Sequence, residues 1–78
     1  MKAVSKILDL ESTPCPLNVV KCKLALEKLS LHETLIVHLD KGEPEIMVKR
    51  ALKEMKFFIF KTIEENQKTI KLKILHES

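Results

Sequence analysis

The chain has 78 residues, of which 45% are hydrophobic and 32% are charged, and its formal net charge is +3. This length allows one domain with a two-layer core, spanning residues 1–78, and leaves no room for a separate catalytic domain. The positive charge comes from lysines spread along the chain, which is more typical of a solvated surface than of a nucleic-acid site. No segment has the about 18 apolar residues of a membrane span and the first ten residues lack a signal-peptide pattern, so we expect a cytoplasmic protein.

The first predicted elements are a strand and a helix. Residues 4–10 alternate, with Leu8 and Leu10 on one face and Ile7 and Asp9 on the other. A helix is predicted from Pro16 to about Leu29, and the apolar stripe that it lays on the sheet consists of Val19, Cys22, Leu26 and Leu29. A second apolar strip on this helix consists of Leu17, Val20 and Leu24. We interpret that strip as a contact with the other helix, with a contact to a partner protein as the alternative.

The remaining elements are a strand, a helix and a hairpin. Residues 33–41 alternate and predict a central or half-buried strand, with Leu35, Val37 and Leu39 on one face. The stretch "GEPEIMVKRALKEM" predicts a second amphipathic helix, whose apolar positions are Val48, Ala51, Leu52 and Met55. The stretches "FFIFKTIEE" and "TIKLKILHE" predict an antiparallel hairpin.

The order βαβαββ predicts an α/β two-layer sandwich. A right-handed β-α-β connection places both helices on one face of a mixed four-stranded sheet. The opposite face is then partly open to water, which fits the lysines that alternate with apolar residues in the last strand.

Cys15 has the most unusual placement among the polar residues, because it lies between Pro14 and Pro16 at the predicted start of the first helix. Proline suits the first position of a helix, so Cys15 is predicted to be the N-cap, with the N–H groups of Leu17 and Asn18 directed at its sulfur. A helix N-terminus favours the thiolate and lowers a cysteine pKa. The alternative is a small apolar residue that seals the junction between strand and helix.

The second thiol, Cys22, belongs to the core stripe of the helix. It lies about 10 Å along the helix axis from Cys15, too far for a disulfide, so a redox pair is not expected. The three histidines, His32, His38 and His76, show no ligand spacing, and we predict no metal site and no cofactor.

The stretches "TPCPLNVVKCKLALEKL" and "ETLIVHLDKGEP" resemble the TusA, or SirA-like, family of small sulfur-carrier proteins. The resemblance covers nearly the whole chain and implies a βαβαββ sandwich with a CPxP motif between the first strand and the first helix. It also implies that Cys15 carries a persulfide and that Pro16 is the first proline of the motif. Two positions depart from the family pattern, because Asn18 and Lys49 stand where prolines are usual.

The resemblance implies partners as well: a cysteine desulfurase or a rhodanese-like protein as sulfur donor, and a protein acceptor in tRNA thiolation, molybdenum-cofactor chemistry or related sulfur trafficking. We predict a monomer, with Lys21 and Lys23 as candidate contacts to a partner, although both also fit an ordinary solvated helix. The alternative function is a small regulatory or RNA-binding module without thiol chemistry. The absence of tyrosine and tryptophan makes a base-stacking platform difficult to build.

Overall fold

A computed structural model of the chain describes residues 4–14 and 16–77, so Cys15 lies outside the described residues. The elements of the described part, in chain order, are β1 (Val4–Asp9), α1 (Leu17–Glu27), β2 (Glu33–Asp40), α2 (Glu43–Glu54), β3 (Phe58–Glu65) and β4 (Thr69–His76). This order confirms the predicted βαβαββ arrangement. Neither helix of the described part is long and apolar enough to cross a membrane.

The four strands form one mixed sheet in the order β1-β2-β4-β3. β1 and β2 are parallel, and β4 is antiparallel to both β2 and β3, so the last two strands form the predicted hairpin. β2 and β4 lie in the centre, which explains why alternate residues of both strands are buried. β1 and β3 form the two edges of the sheet.

The core lies between the sheet and the two helices. The predicted stripe of α1 is confirmed, because Cys22, Leu26 and Leu29 are buried and Val19 packs against them. From α2 the buried side chains are Val48 and Leu52, and the sheet contributes Leu10, Leu35, Val37, Leu39, Ile70, Leu72 and Ile74. Because alternate strand residues point to opposite faces, the other face of the sheet carries a mixture of lysine, carboxylate and aliphatic side chains.

Candidate functional site

The turn that leads to position 15 is attached to the ends of both parallel strands. Leu10 is fully buried, and its N–H donates to the carbonyl of His38 at 2.8 Å, while its own carbonyl accepts the N–H of Thr13 at 3.1 Å. Ser12 has a φ of 65°, and its N–H donates to Oδ2 of Asp40 at 2.7 Å. These contacts hold the segment before position 15 in one conformation.

The first helix begins one residue later than the sequence predicted. Pro16 has φ −90° and ψ 10° and is the N-cap, and α1 begins at Leu17. The carbonyl of Pro16 accepts the N–H of Val20 at 3.1 Å, as an N-cap carbonyl should. The prediction that Pro16 is the first helical residue is therefore wrong by one position, and the predicted capping role of Cys15 lies outside the described residues.

The N–H of Asn18 is already occupied. It donates to the carbonyl of Pro14 at 3.1 Å, and the predicted donation to the Cys15 sulfur lies outside the described residues. The carbonyl of Pro14 competes for that proton because the chain turns into the helix before α1 formally starts. Of the two predicted donors, the N–H of Leu17 has no acceptor among residues 4–14 and 16–77.

The side chain of Asn18 is fully buried beside this turn. Its Oδ1 accepts the N–H of Val19 at 2.8 Å, which satisfies one of the N-terminal donors of α1. Its Nδ2 has no acceptor among the described residues. Because none of this side chain is exposed, Asn18 can affect a partner protein solely through the backbone that it supports.

The electrostatic surroundings of the helix entrance favour an anion. The first turn of α1 has no acidic residue, so the positive end of the helix dipole is not neutralised there. Lys21 and Lys23 are exposed in the next turn, and neither forms an ion pair within the described ranges. Pro14, Pro16 and Leu17 are also exposed.

The second apolar strip of α1 faces solvent. Leu17, Val20 and Leu24 remain 44–52% exposed, so the prediction that this strip packs on the other helix is wrong. The strip lies roughly opposite the core stripe around the helix axis, so the sheet and α2 leave about half of it open to solvent. A groove of about 370 Å³ separates α1 from edge strand β1, and its lining includes Leu8, Lys21 and Leu24.

Cys22 is a core residue, as the sequence predicted. Its exposure is 3%, and burial raises the pKa of its thiol to about 11. At neutral pH the thiolate, which is the nucleophilic form, is therefore very rare at this position. Cys22 is thus unsuited to accept or transfer sulfur in the folded protein.

A carboxylate-histidine cluster lies where β1 and β2 end. Asp9, Glu11 and His38 each place one potential ligand atom within 4.8 Å of the others. The sequence analysis missed this cluster because it considered spacing along the chain, whereas Asp9 and His38 are neighbours across two parallel strands. Asp9 and Glu11 are exposed and His38 is half-buried, which is also an ordinary arrangement on a solvated surface.

Two of the phenylalanines face the helix layer and not the open sheet face. Phe58 and Phe60 pack against the core, and the Phe58 ring lies 4.7 Å from the ring of His76. They are therefore not available as a base-stacking platform on the open face.

Asp40 is a supporting residue that the sequence analysis did not identify. It is the last residue of β2, and its carboxylate accepts the N–H of Ser12, 28 residues earlier in the chain. The carboxyl ends of adjacent parallel strands lie at the same edge of a sheet, so the polar residues that follow β1 and end β2 could have been paired from the predicted topology. Lys49, where the resemblance implies a proline, forms an ion pair with Glu45 one turn earlier in α2, at 2.7 Å.

Comparison with protein families gives one match. The family model described as "Sulfurtransferase TusA" matches residues 6–75, nearly the whole chain. Searches of curated proteins and of solved structures found no match.

Proposed function

This chain belongs to the TusA sulfurtransferase family, which supports a general role in carrying or transferring sulfur, and on that basis we propose that Cys15 is the sulfur-bearing residue. The observation that carries the proposal is that the family match includes the Cys-Pro pair at the entrance of α1. Cys22, the other cysteine, is buried with its pKa raised to about 11.

The proposed reaction moves one sulfur atom in two displacements. The Cys15 thiolate attacks the outer sulfur of a persulfide on a donor protein, the donor S–S bond breaks, and the donor leaves as a thiolate. Cys15 then carries a persulfide. A nucleophile on the acceptor attacks the outer sulfur, the Cys15 S–S bond breaks, and the Cys15 thiolate is regenerated without any net oxidation of the carrier.

The described residues support both anionic states. The N–H of Leu17 is a backbone donor two residues from Cys15, and the unneutralised N-terminus of α1 favours negative charge. Pro14 and Pro16 restrict the backbone on either side. Asn18 contributes by supporting the turn: its N–H binds the Pro14 carbonyl and its Oδ1 binds the next N–H of the helix.

We place the docking surface for the sulfur donor on the exposed side of α1. The strip of Leu17, Val20 and Leu24 starts two residues after Cys15 and offers apolar area. Lys21 and Lys23 flank the strip and are available to acidic groups of a desulfurase or a rhodanese-like protein. The acceptor, whether in tRNA thiolation, molybdenum-cofactor chemistry or another sulfur pathway, and the cytoplasmic location remain predictions from the sequence.

The decisive experiment is loading by a cysteine desulfurase in the presence of free cysteine, followed by mass spectrometry of the intact protein. We expect one added sulfur atom, located at Cys15 by peptide mapping and removed by a reducing agent. Cys22→Ala is the matched control and should load normally. If Cys15→Ser still acquires the sulfur, or if neither a desulfurase nor a rhodanese loads the wild type, the proposal fails.

The docking surface is tested separately by the concentration dependence of loading. Lys21→Glu with Lys23→Glu should raise the KM for the donor while the loaded product stays the same. Lys56→Glu with Lys68→Glu, at two exposed lysines in the turns before and after β3, is the control of equal charge change. Equal effects of the two charge reversals would show that net charge, and not this face, determines docking.

A further inference from the structure

The outer edge of β3 presents backbone groups without partners. The N–H of Glu77 donates to the carbonyl of Phe57 at 2.9 Å, which fixes the alternation of the antiparallel ladder. Every second residue after Phe57, including Lys61, forms its main-chain hydrogen bonds with β4. The residues between them, including Phe60 and Thr62, direct their N–H and C=O groups away from the sheet. No acceptor or donor among the described residues reaches these outward groups.

Apolar grooves lie on both faces of the same edge. The groove on the helix side has a volume of about 420 Å³, and its apolar lining includes Leu52, Met55, Phe58 and Phe60. The groove on the open face has a volume of about 250 Å³, and its lining includes Ile59 and Leu75. A strand added beside β3 would therefore find apolar surface for the side chains on both of its faces.

Four lysines surround these grooves. Lys61 and Lys73 are direct neighbours across β3 and β4 on the open face, and Lys53 and Lys56 line the groove on the helix side. None of the four forms an ion pair within residues 4–14 and 16–77, although the carboxylate of Glu77 also lines the helix-side groove.

Like charges placed directly opposite in a sheet destabilise it, so the pair of Lys61 and Lys73 favours an anionic group between them. Farther along the same two strands the charge is balanced, because Lys71 binds Glu64 at 2.8 Å. The excess positive charge is therefore local to the exposed part of the β3 edge.

We propose that the edge of β3 binds an extended acidic segment of a partner protein, which adds a fifth strand to the sheet through Phe60 and Thr62. Its carboxylates would lie on the open face beside Lys61, with Lys73 one strand farther into the sheet, and its apolar side chains would lie on the helix side. Open main-chain groups supply affinity in strand addition, and the alternate side chains supply specificity.

A second copy of this chain is the wrong partner for this edge. Pairing of Phe60 with Thr62 of another copy would place the two Lys61 side chains directly opposite each other, and Glu64 and Glu65 of β3 already bind Lys71 and Lys41. Lysines and bulges on an edge strand are also common devices against such self-pairing, and β3 has Lys61 and a register shift between Thr62 and Glu64.

The two edges of the sheet are far enough apart to act independently. β3 and β1 are separated by β2 and β4, which is about 14 Å at the usual strand spacing. The turn before position 15 follows β1. A partner held at β3 would thus leave the entrance of α1 open to a second protein, so docking at β3 does not depend on the proposed sulfur chemistry.

The test uses an acetylated peptide of alternating glutamate and valine, with alternating lysine and valine as the control peptide. On the full chain we expect the acidic peptide to slow hydrogen exchange of the outward N–H groups of Phe60 and Thr62, as measured by NMR, and to bind more weakly as salt increases. Lys61→Glu should weaken binding about tenfold or more, whereas Cys15→Ser should leave it unchanged.

Thr62→Pro removes one outward N–H without removing a ladder hydrogen bond, because proline is tolerated at such edge positions. It should weaken binding, whereas Thr62→Val should not. The proposal is overturned if Lys61→Glu binds equally well, or if protection appears elsewhere. It is also overturned if the free protein sediments as a dimer and hydrogen exchange shows that its Phe60 and Thr62 amides are already protected. That result would assign the edge to a second copy.

Discussion

Ionisation of the buried Cys22 thiol should destabilise the fold at alkaline pH. Burial raises the pKa of this thiol from 9.0 to about 11. The folded state therefore retains its proton where the unfolded chain has lost it, and this contribution to stability is complete below pH 9 and is lost as the pH rises toward 11. The difference between the two pKa values corresponds to a loss of about 3 kcal/mol of stability in total, of which about 2 kcal/mol is lost by pH 10.5.

The assay is urea unfolding at several pH values between 8 and 10.5 in a Cys15→Ser background, with and without Cys22→Ala. All other groups titrate equally in both proteins, and the cavity left by Cys22→Ala costs the same free energy at every pH. The difference in the free energy of unfolding between the two proteins should therefore narrow by about 2 kcal/mol across this range. Parallel curves would refute the reasoning, because they would mean that the thiol titrates alike in both states.

Two further substitutions test the local structure at the two helix starts. Asn18→Pro removes two hydrogen bonds, from the Asn18 N–H to the Pro14 carbonyl and from the Val19 N–H to Asn18 Oδ1, but it also removes a buried amide nitrogen without an acceptor among the described residues. These effects oppose each other, so the free energy of unfolding in urea should fall by about 1 kcal/mol. The pKa of Cys15, followed by thiolate absorbance, should not rise in this variant, whereas a rise would show that the Asn18 N–H reaches the sulfur after all. Gly42→Ala places a side chain at φ 92° and ψ −134°, which is essentially glycine-only backbone, and should cost about 1–3 kcal/mol in the same unfolding assay. Since its new Cβ would meet no atom within 4 Å, an unchanged stability would mean that the turn relaxes freely.

The parts of the fold that follow local periodicity were predictable. Alternation in residues 33–41 identified the central strand and its buried face, and three-and-four spacing identified the core stripe of α1. The position of β4 between β2 and β3 was not predicted, because a hairpin can join a sheet through either of its strands and the choice depends on distant contacts.

The errors at the candidate site have a common physical cause. The first turn of α1 was assigned from the preference of proline for the first helical position, but Pro16 has φ −90° and ψ 10°, and α1 begins at Leu17. Likewise, a periodicity of apolar residues cannot say which of two strips is covered, so the exposed strip that contains Val20 was assigned to the wrong neighbour. The bond between Ser12 and Asp40 joins residues that become neighbours once β1 and β2 have paired.

The parallel pairing of β1 with β2 has a consequence for the order of assembly. β3 and β4 are joined by a short turn and can pair early, whereas β1 and β2 are joined by a connection that contains all of α1 and pair later. Because β1 is paired on one side only, with β2, we expect its amides to exchange through a partial opening that costs less free energy than global unfolding. The segment that leads to Cys15 would then belong to the last unit to fold and the first to open. A partner that binds there would therefore protect the amides of β1 from hydrogen exchange more than those of β4.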